Sequence, residues 1–351
     1  MDNDLHRIIA SLIQNKTVAE DEYKYLIDRR DSDIAILLAD EAVKTRKRFY
    51  GNSVFIRGLI EIGNVCKNDC LYCGIRRSNA KCSRRVFHLT SDEILSCCED
   101  GYSLGFRTFV LQGGEDPHFS DEFICNTVSR IKSLYPDCAV TLSLGERSEE
   151  SYRAIKNAGA DRYLLRHETA DKPHYEKLHP SEMSFENRIN CLKTLRSIGY
   201  QVGCGFMVGS PYQTSAEIAK DLTFIGSFRP DMCGIGPFIP HKDTPFSDYP
   251  AGSAELTCFL LSVIRLICPT VLLPATTALG TVASDGRERG ILSGANVVMP
   301  NLSPAEAKEK YTLYNGKISS GAESAQKIAL LSERMRSIGY EVVCARGDMR
   351  R

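Results

Sequence analysis

The chain has 351 residues, 43% of them hydrophobic and 25% charged, with 44 lysines and arginines balanced by 44 aspartates and glutamates. That length suffices for two average domains or one large α/β barrel. Zero net charge argues against nucleic acid or an anionic membrane surface as the main partner, and a mean hydropathy of −0.21 with no long apolar run excludes a membrane-spanning helix.

In chain order, the first residues, MDNDLHRIIASLIQN, place acids ahead of their apolar stretch and lack a small-residue cleavage site. No secretory signal is expected there, and the cytoplasm is the expected location. Residues 3–49 predict helices, with Ile8, Ile9, Leu12 and Ile13, then Ile34, Leu37 and Leu38, at helical spacing. From Phe55 the texture changes to short apolar runs alternating with amphipathic stretches. The runs predict strands at 55–62, 107–111, 138–144, 161–166, 201–208, 231–236, 270–275 and 295–299. Helices are predicted between them at 91–104, 120–134, 148–158, 184–199, 214–227 and 253–267. Capping signals agree: Thr90 with Glu93, and Ser184, mark helix starts, while Gly105, Gly159 and Gly199 stand where a left-handed residue ends a helix.

Eight strands interleaved with helices predict an α/β fold, a (β/α)8 TIM-type barrel over residues 55–304, close to the roughly 250 residues such barrels take. Residues 1–54 are then an N-terminal helical extension. Residues 305–351 form a C-terminal extension closing the barrel, with an amphipathic helix around 323–338 over its bottom or side. The seventh crossover, 276–294, is glycine-rich and only poorly helical in pattern.

Fourteen cysteines are too few for a disulfide scaffold, and a chain this long needs no such staples. Most are scattered or lie in helical runs (Cys97, Cys98, Cys191, Cys258, Cys268), where a buried thiol serves as a small hydrophobe. Cys66, Cys70 and Cys73 differ. They form C-x3-C-x2-C directly after the first strand, in EIGNVCKNDCLYCGIR. Three thiolates on one short loop suit three irons of a 4Fe–4S cube, and a missing fourth ligand leaves one iron open to a substrate. Cys82, in the basic stretch RRSNAKCSRR, lies too far along to match. The competing reading is a zinc site completed by a distant ligand, but zinc sites usually come as paired C-x2-C units and the chain has no second pair.

With Tyr72 in the last interval, C-x3-C-x-aromatic-C after a barrel's first strand resembles the signature of the radical S-adenosylmethionine (SAM) superfamily. Further segments are similar to the HydE family of FeFe-hydrogenase maturation proteins. They are LQGGED (111–116), VTLSLGE (140–146), DRYLLRHETA (161–170), the run 185–214, GIGPFIPHKDTP (234–245), LPATTALGT (273–281) and GANVVMPNLSP (294–304). The resemblance implies an enzyme that cleaves SAM reductively at a 4Fe–4S cluster to a 5′-deoxyadenosyl radical. It also implies a maturase role in assembling the diiron subcluster of the hydrogenase active site (H-cluster). A small-molecule or organometallic substrate, the partner maturases HydG and HydF, and a reductant such as ferredoxin or flavodoxin come with it.

The same resemblance distributes the site. Cys66, Cys70 and Cys73 would hold the cluster, and Tyr72, Gln112, Gly113, Gly114, Glu115, Ser143, Glu168 and Arg188 would bind SAM. Thr141, Arg166, Thr276, Thr277, Met299, Tyr311 and Tyr314 would line the substrate side. Residue chemistry alone leaves simpler readings open. Gly113-Gly114 favours a tight turn unaided, Arg166 and Glu168 could pair with each other, Arg188 could be a solvated helix residue, and Thr276 and Thr277 could cap a helix. His167 alternates to the opposite face and reads as structural. The stretch 203–209 suits either a bound adenine or a crowded strand, and His241 and Asp243, in a proline-stiffened loop, are assigned no role.

One departure matters. Some family members carry a second cysteine-ligated cluster near the C-terminus, whereas residues 317–351 hold only Cys344, so a single cluster is expected. Two other functions compete: a related radical SAM enzyme of the methylornithine synthase or biotin synthase type, and a non-catalytic iron–sulfur scaffold or electron carrier. Biotin synthase needs a further cysteine set that does not stand out here. A scaffold would leave the glycine loop and the barrel-mouth charges without a ligand.

Overall fold

The computed structural model describes residues 3–83, 85–318 and 324–350. Three helices open the chain: α1 (Asn3–Asn15), α2 (Glu20–Asp28) and α3 (Ser32–Tyr50). The apolar stripe expected from spacing is the buried face, with Leu5, Ile8, Ile9 and Leu12 in α1 and Ile34 and Leu38 in α3. Leu37 departs from that pattern and is exposed beside Ile36. Asp31 caps α3, its carboxylate accepting from Ile34 N at 2.9 Å.

The predicted first strand is two, β1 (Ser53–Ile56) and β2 (Gly58–Gly63), broken at the buried Arg57. There follow α4 (Ala80–Ser83), α5 (Ser91–Ser103), β3 (Thr108–Gly113), α6 (Asp121–Leu134), β4 (Ala139–Ser143), α7 (Glu149–Asn157) and β5 (Arg162–Leu164). Next come α8 (Lys172–Leu178), which the sequence pattern did not reveal, α9 (Phe185–Ile198), β6 (Gln201–Cys204), β7 (Met207–Val208), α10 (Ser215–Phe228), β8 (Met232–Cys233) and β9 (Gly236–Pro237). The chain continues through α11 (Ala254–Ile267), α12 (Thr277–Val282), α13 (Gly286–Leu292), β10 (Val297–Val298), α14 (Ala305–Lys310), a 3-10 turn (Ala325–Lys327), α15 (Ile328–Ser337) and β11 (Glu341–Val343). Thus the irregular crossover 276–294 holds two short helices, and the helix expected around 323–338 is the turn plus α15, with residue 323 outside the described residues. Thr90 closes a capping box with Glu93, and Gly105, Gly159 and Gly199 all take positive φ.

All strand pairs in the wall are parallel, in the order β2-β3-β4-β5-β6-β8. Alternation sorts the side chains: Ile60, Phe109, Leu111, Val140 and Leu142 join the core under the helices, whereas Gln112 and Ser143 point to the barrel axis. The predicted strand 270–275 is reduced to isolated bridges, Met232↔Leu272 and Pro274↔Val297. Its backbone still closes the ring, since Cys233 N donates to Leu272 O (3.0 Å), Ala275 N to Val297 O (2.9 Å) and Phe55 N to Asn296 O (2.9 Å).

β1 has a second neighbour. β10 pairs with it on one side and β11 on the other. Residues after β11 plug the end of the barrel where strands begin: Thr108 Oγ1 donates to Arg346 O at 2.7 Å, and Arg162 Nη2 meets Asp348 Oδ1 at 2.5 Å. The opposite end, where strands finish, is left for the βα loops. Among the described residues no helix is long and apolar enough to cross a membrane.

Candidate active site

A cavity of about 310 Å3 lies among the strand ends. β2 leads into the loop of Cys66, Cys70 and Cys73, all of which line it. The loop is pinned from several sides. Lys67 N donates to Glu115 O (2.8 Å), Leu71 N to Leu178 O (3.0 Å) and Gly74 N to Leu313 O (2.9 Å). Asp69 is gripped by Arg76 through two contacts of 2.7 Å and by the Ser78 hydroxyl at 2.8 Å. The Arg76 guanidinium holds that carboxyl well below the usual carboxylate range.

Burial pushes the thiols up: Cys66 is raised, Cys70 reaches about 12 and Cys73 goes well above the normal thiol value. A bound cationic centre therefore has to draw off their protons. Among the described residues no three His, Cys, Asp or Glu side chains are grouped to hold one metal ion. A four-iron cube takes each thiolate at a separate corner, so a spread triplet fits a cube better than a single tetrahedral ion.

Gly113 and Gly114 end β3. A Cβ on Gly114 would lie 2.3 Å from Val65 O and 2.6 Å from Cys66 Cβ, so only glycine lets this backbone meet the cysteine loop. Glu115 N donates to Cys66 Sγ at 3.4 Å. The Glu115 carboxylate is engaged elsewhere, accepting from Glu146 N at 2.8 Å and facing Lys67 Nζ at 3.2 Å.

Beyond β5, Glu168 sits at φ +66, a left-handed conformation costly for a residue with a side chain, and its N–H donates to Gly205 O at 3.0 Å. Arg166 Nη2 and Glu168 Oε2 are 3.2 Å apart but poorly aligned for a hydrogen bond. The two thus form the ion pair that the simpler reading allowed, while Arg166 Nε and Nη2 and Glu168 Oε2 are buried on the cavity wall without a hydrogen bond. Orphaned polar atoms of this kind ask for a polar ligand. Arg188 reaches in from α9, only 7% exposed, bonding Glu146 Oε1 at 2.5 Å and Arg166 O at 3.0 Å. The Tyr72 hydroxyl lies 3.1 Å from His179 Nε2, and His179 Nδ1 lies 2.9 Å from Tyr175 O. The carbonyl fixes the imidazole proton on Nδ1, so Nε2 accepts from Tyr72. Across the cavity, Gln112 Nε2 donates to Tyr311 Oη at 3.3 Å, and Thr276 both lines the wall and caps α12.

A sequence profile of the radical SAM superfamily matches residues 60–225. The [FeFe] hydrogenase maturase subunit HydE of Thermotoga maritima is 46% identical over 291 residues, covering 83% of this chain and 81% of that protein. This chain belongs to the HydE family of radical SAM enzymes. A 3-methylornithine synthase of Methanosarcina acetivorans is 28% identical over 308 residues, 87% of this chain and 85% of that one. The crystal structure of methylornithine synthase (PylB) superposes with a TM-score of 0.82 over 96% of this chain and 97% of that one, at 24% identity, which shows the shared barrel.

Of the residues to which the HydE resemblance points, the cavity gathers the three cysteines, Tyr72, Gln112 to Glu115, Ser143, Arg166, Glu168, Arg188, Thr276, Tyr311 and Tyr314. Three it does not gather. Thr141 points to the axis one layer deeper than Ser143, beside Arg57 and Arg162 and beneath Leu164. Thr277 turns away on the first turn of α12, 3.2 Å from Arg287 Nη2. Met299 packs against the cluster of Phe55, Met232 and Val297. The simpler readings divide as well: His167 is structural, fully buried with Nε2 3.2 Å from Asp221, whereas Arg188 is no solvated helix residue. Residues beside the cavity that pattern reading missed are Glu146, which bonds Arg188, and His179, which bonds Tyr72. Glu146 carried a signal, because a buried arginine fork needs a carboxylate; His179 carried none.

Proposed function

We propose that this protein is a HydE-type maturase, cleaving SAM reductively in the assembly of the FeFe-hydrogenase diiron subcluster. One observation carries the reading: the cysteine triplet, the glycine cradle and the Arg166–Glu168 ion pair, with hydrogen-bonding capacity unused, face a single cavity. Cys66, Cys70 and Cys73 would hold one 4Fe–4S cluster with an open iron, and no second cluster is assigned. When bound, the cluster supplies the electron that breaks the SAM sulfonium bond. The chain's own residues bind and orient. Gly113 and Gly114 bring backbone polar groups to the methionine end, and Arg188, its fork already aligned by Glu146, offers charge to the carboxylate. Ser143, Glu168 and the Tyr72 ring complete the SAM side, while Arg166, Thr276, Tyr311 and Tyr314 face the substrate. Met207, Phe238 and Leu164 supply apolar wall that keeps water from the reacting centre. A small organometallic substrate, HydG and HydF as collaborating maturases, a ferredoxin or flavodoxin donor and a cytoplasmic location belong to the same reading.

Anaerobic reconstitution followed by incubation with SAM and dithionite tests it. The expected product is 5′-deoxyadenosine, abolished by Cys70→Ser. An intact cluster without product would favour the scaffold reading. Lysine-stimulated cleavage would overturn the maturase in favour of a methylornithine synthase.

A further inference from the structure

A second cavity, about 470 Å3, lies outside the segment Tyr311–Tyr314. Tyr311 and Tyr314 line both spaces, so the two share one wall. That wall is one strand of chain thick and firmly seated. A Cβ on Gly74 would lie 2.0 Å from Thr312 O, Asn64 Nδ2 donates to Lys310 O at 3.1 Å, and Lys317 is paired with the buried Glu61.

The charge of the outer chamber is lopsided. Lys81, Arg85, Lys242, Lys308, Lys310 and Lys317 line it against Asp243 and Glu309. Asp243 is taken by Lys81 and Lys310 by Glu306, and Lys317 by Glu61. Among the described residues Arg85, Lys242 and Lys308 are not ion-paired, although Glu61 acts on Lys308 and Asp243 on Lys242, so the cations on the lining still outnumber its carboxylates. This surplus belongs to a chain whose net charge is zero. Burial lowers the Lys308 pKa against the opposing pull of Glu61, and a bound anion would add to that pull.

We propose that the outer chamber is a binding site for a small, multiply charged anion, such as an anionic metal complex, across one wall from the inner cavity. Only the choice of a metal complex as the anion rests on reading the inner cavity as the reaction chamber; the anion site itself does not. The volume falls in the small-ligand range of about 300–1,000 Å3. Converging cations in a concave space also raise the local concentration of an anion and its capture rate.

The test is calorimetric titration of the reconstituted holoenzyme with hexacyanocobaltate(III), a redox-inert trianion. Wild type should bind it, and Arg85→Glu/Lys242→Glu, both exposed and outside the catalytic wall, should weaken binding by about tenfold or more at low salt. Circular dichroism checks that the variant is folded, and Lys242→Gln, which only removes charge, should give an intermediate loss. No binding to wild type, or unchanged binding in both variants, overturns the proposal. SAM cleavage without added substrate is measured on the same preparations. If wild type fails to cleave SAM, the maturase reading falls while the titration still decides this one.

Discussion

His179 lies between two tyrosines, stacked on Tyr175 at 3.9 Å and accepting from Tyr72 at 3.1 Å. Burial lowers its pKa to about 3, against about 6.5 in an unfolded chain. A depressed pKa contributes stability above the unfolded value and loses it as pH falls, because the unfolded chain takes the proton first. Between pH 7 and 5 that loss is about 2 kcal/mol. Urea denaturation of the cluster-free protein at both pH values should show His179→Gln losing less stability than wild type by roughly this amount; equal losses would refute the assignment. At this scale the chemistry-bearing residues were legible where they form a local motif. The cysteine triplet and Gly113-Gly114 read directly because spacing along the chain is also spacing in the loop. Glu146 and His179 act on residues far away in sequence, and Thr141, Thr277 and Met299 sit below or are turned away from the lining.

The elements repeat the lesson with longer reach. Strands and helices that carry their own periodicity, such as α5 with its capping box or β3 and β4, follow the sequence closely. Strand 270–275 does not, since its pairing is set by neighbours on both sides and survives only as bridges. β11 left no readable signal because its partner is β1. Its following turn is held by charge: burial opposes ionisation of Asp348, but Arg346 and Arg162 outweigh it and keep the carboxyl well below its ordinary range. Arg162 is nearly fully buried, so Asp348→Asn leaves a cation short of a counterion. It should cost about 1–3 kcal/mol, seen as a lower thermal midpoint, with the substituted asparagine still accepting one hydrogen bond. An unchanged midpoint would mean the plug contributes nothing to stability.

For the whole molecule, the ring closes through protein hydrogen bonds and apolar packing. The cysteine loop adds to the mouth of the barrel without tying its staves together. Air exposure of the reconstituted protein should therefore bleach its visible absorbance while far-ultraviolet circular dichroism stays constant, unlike small metal domains that unfold when stripped. Loss of both signals together would show that the cluster is structural. The barrel itself was legible because helix and strand textures alternate along its length. The chambers were not, because a cavity is made by residues from many staves.

β1 is flanked by β10 and β11, both of which leave the ribosome long after it. Until then its two edges have no partner, and an unpaired strand edge is an invitation to other chains. The nascent polypeptide must carry this unpaired ribbon through most of its own translation.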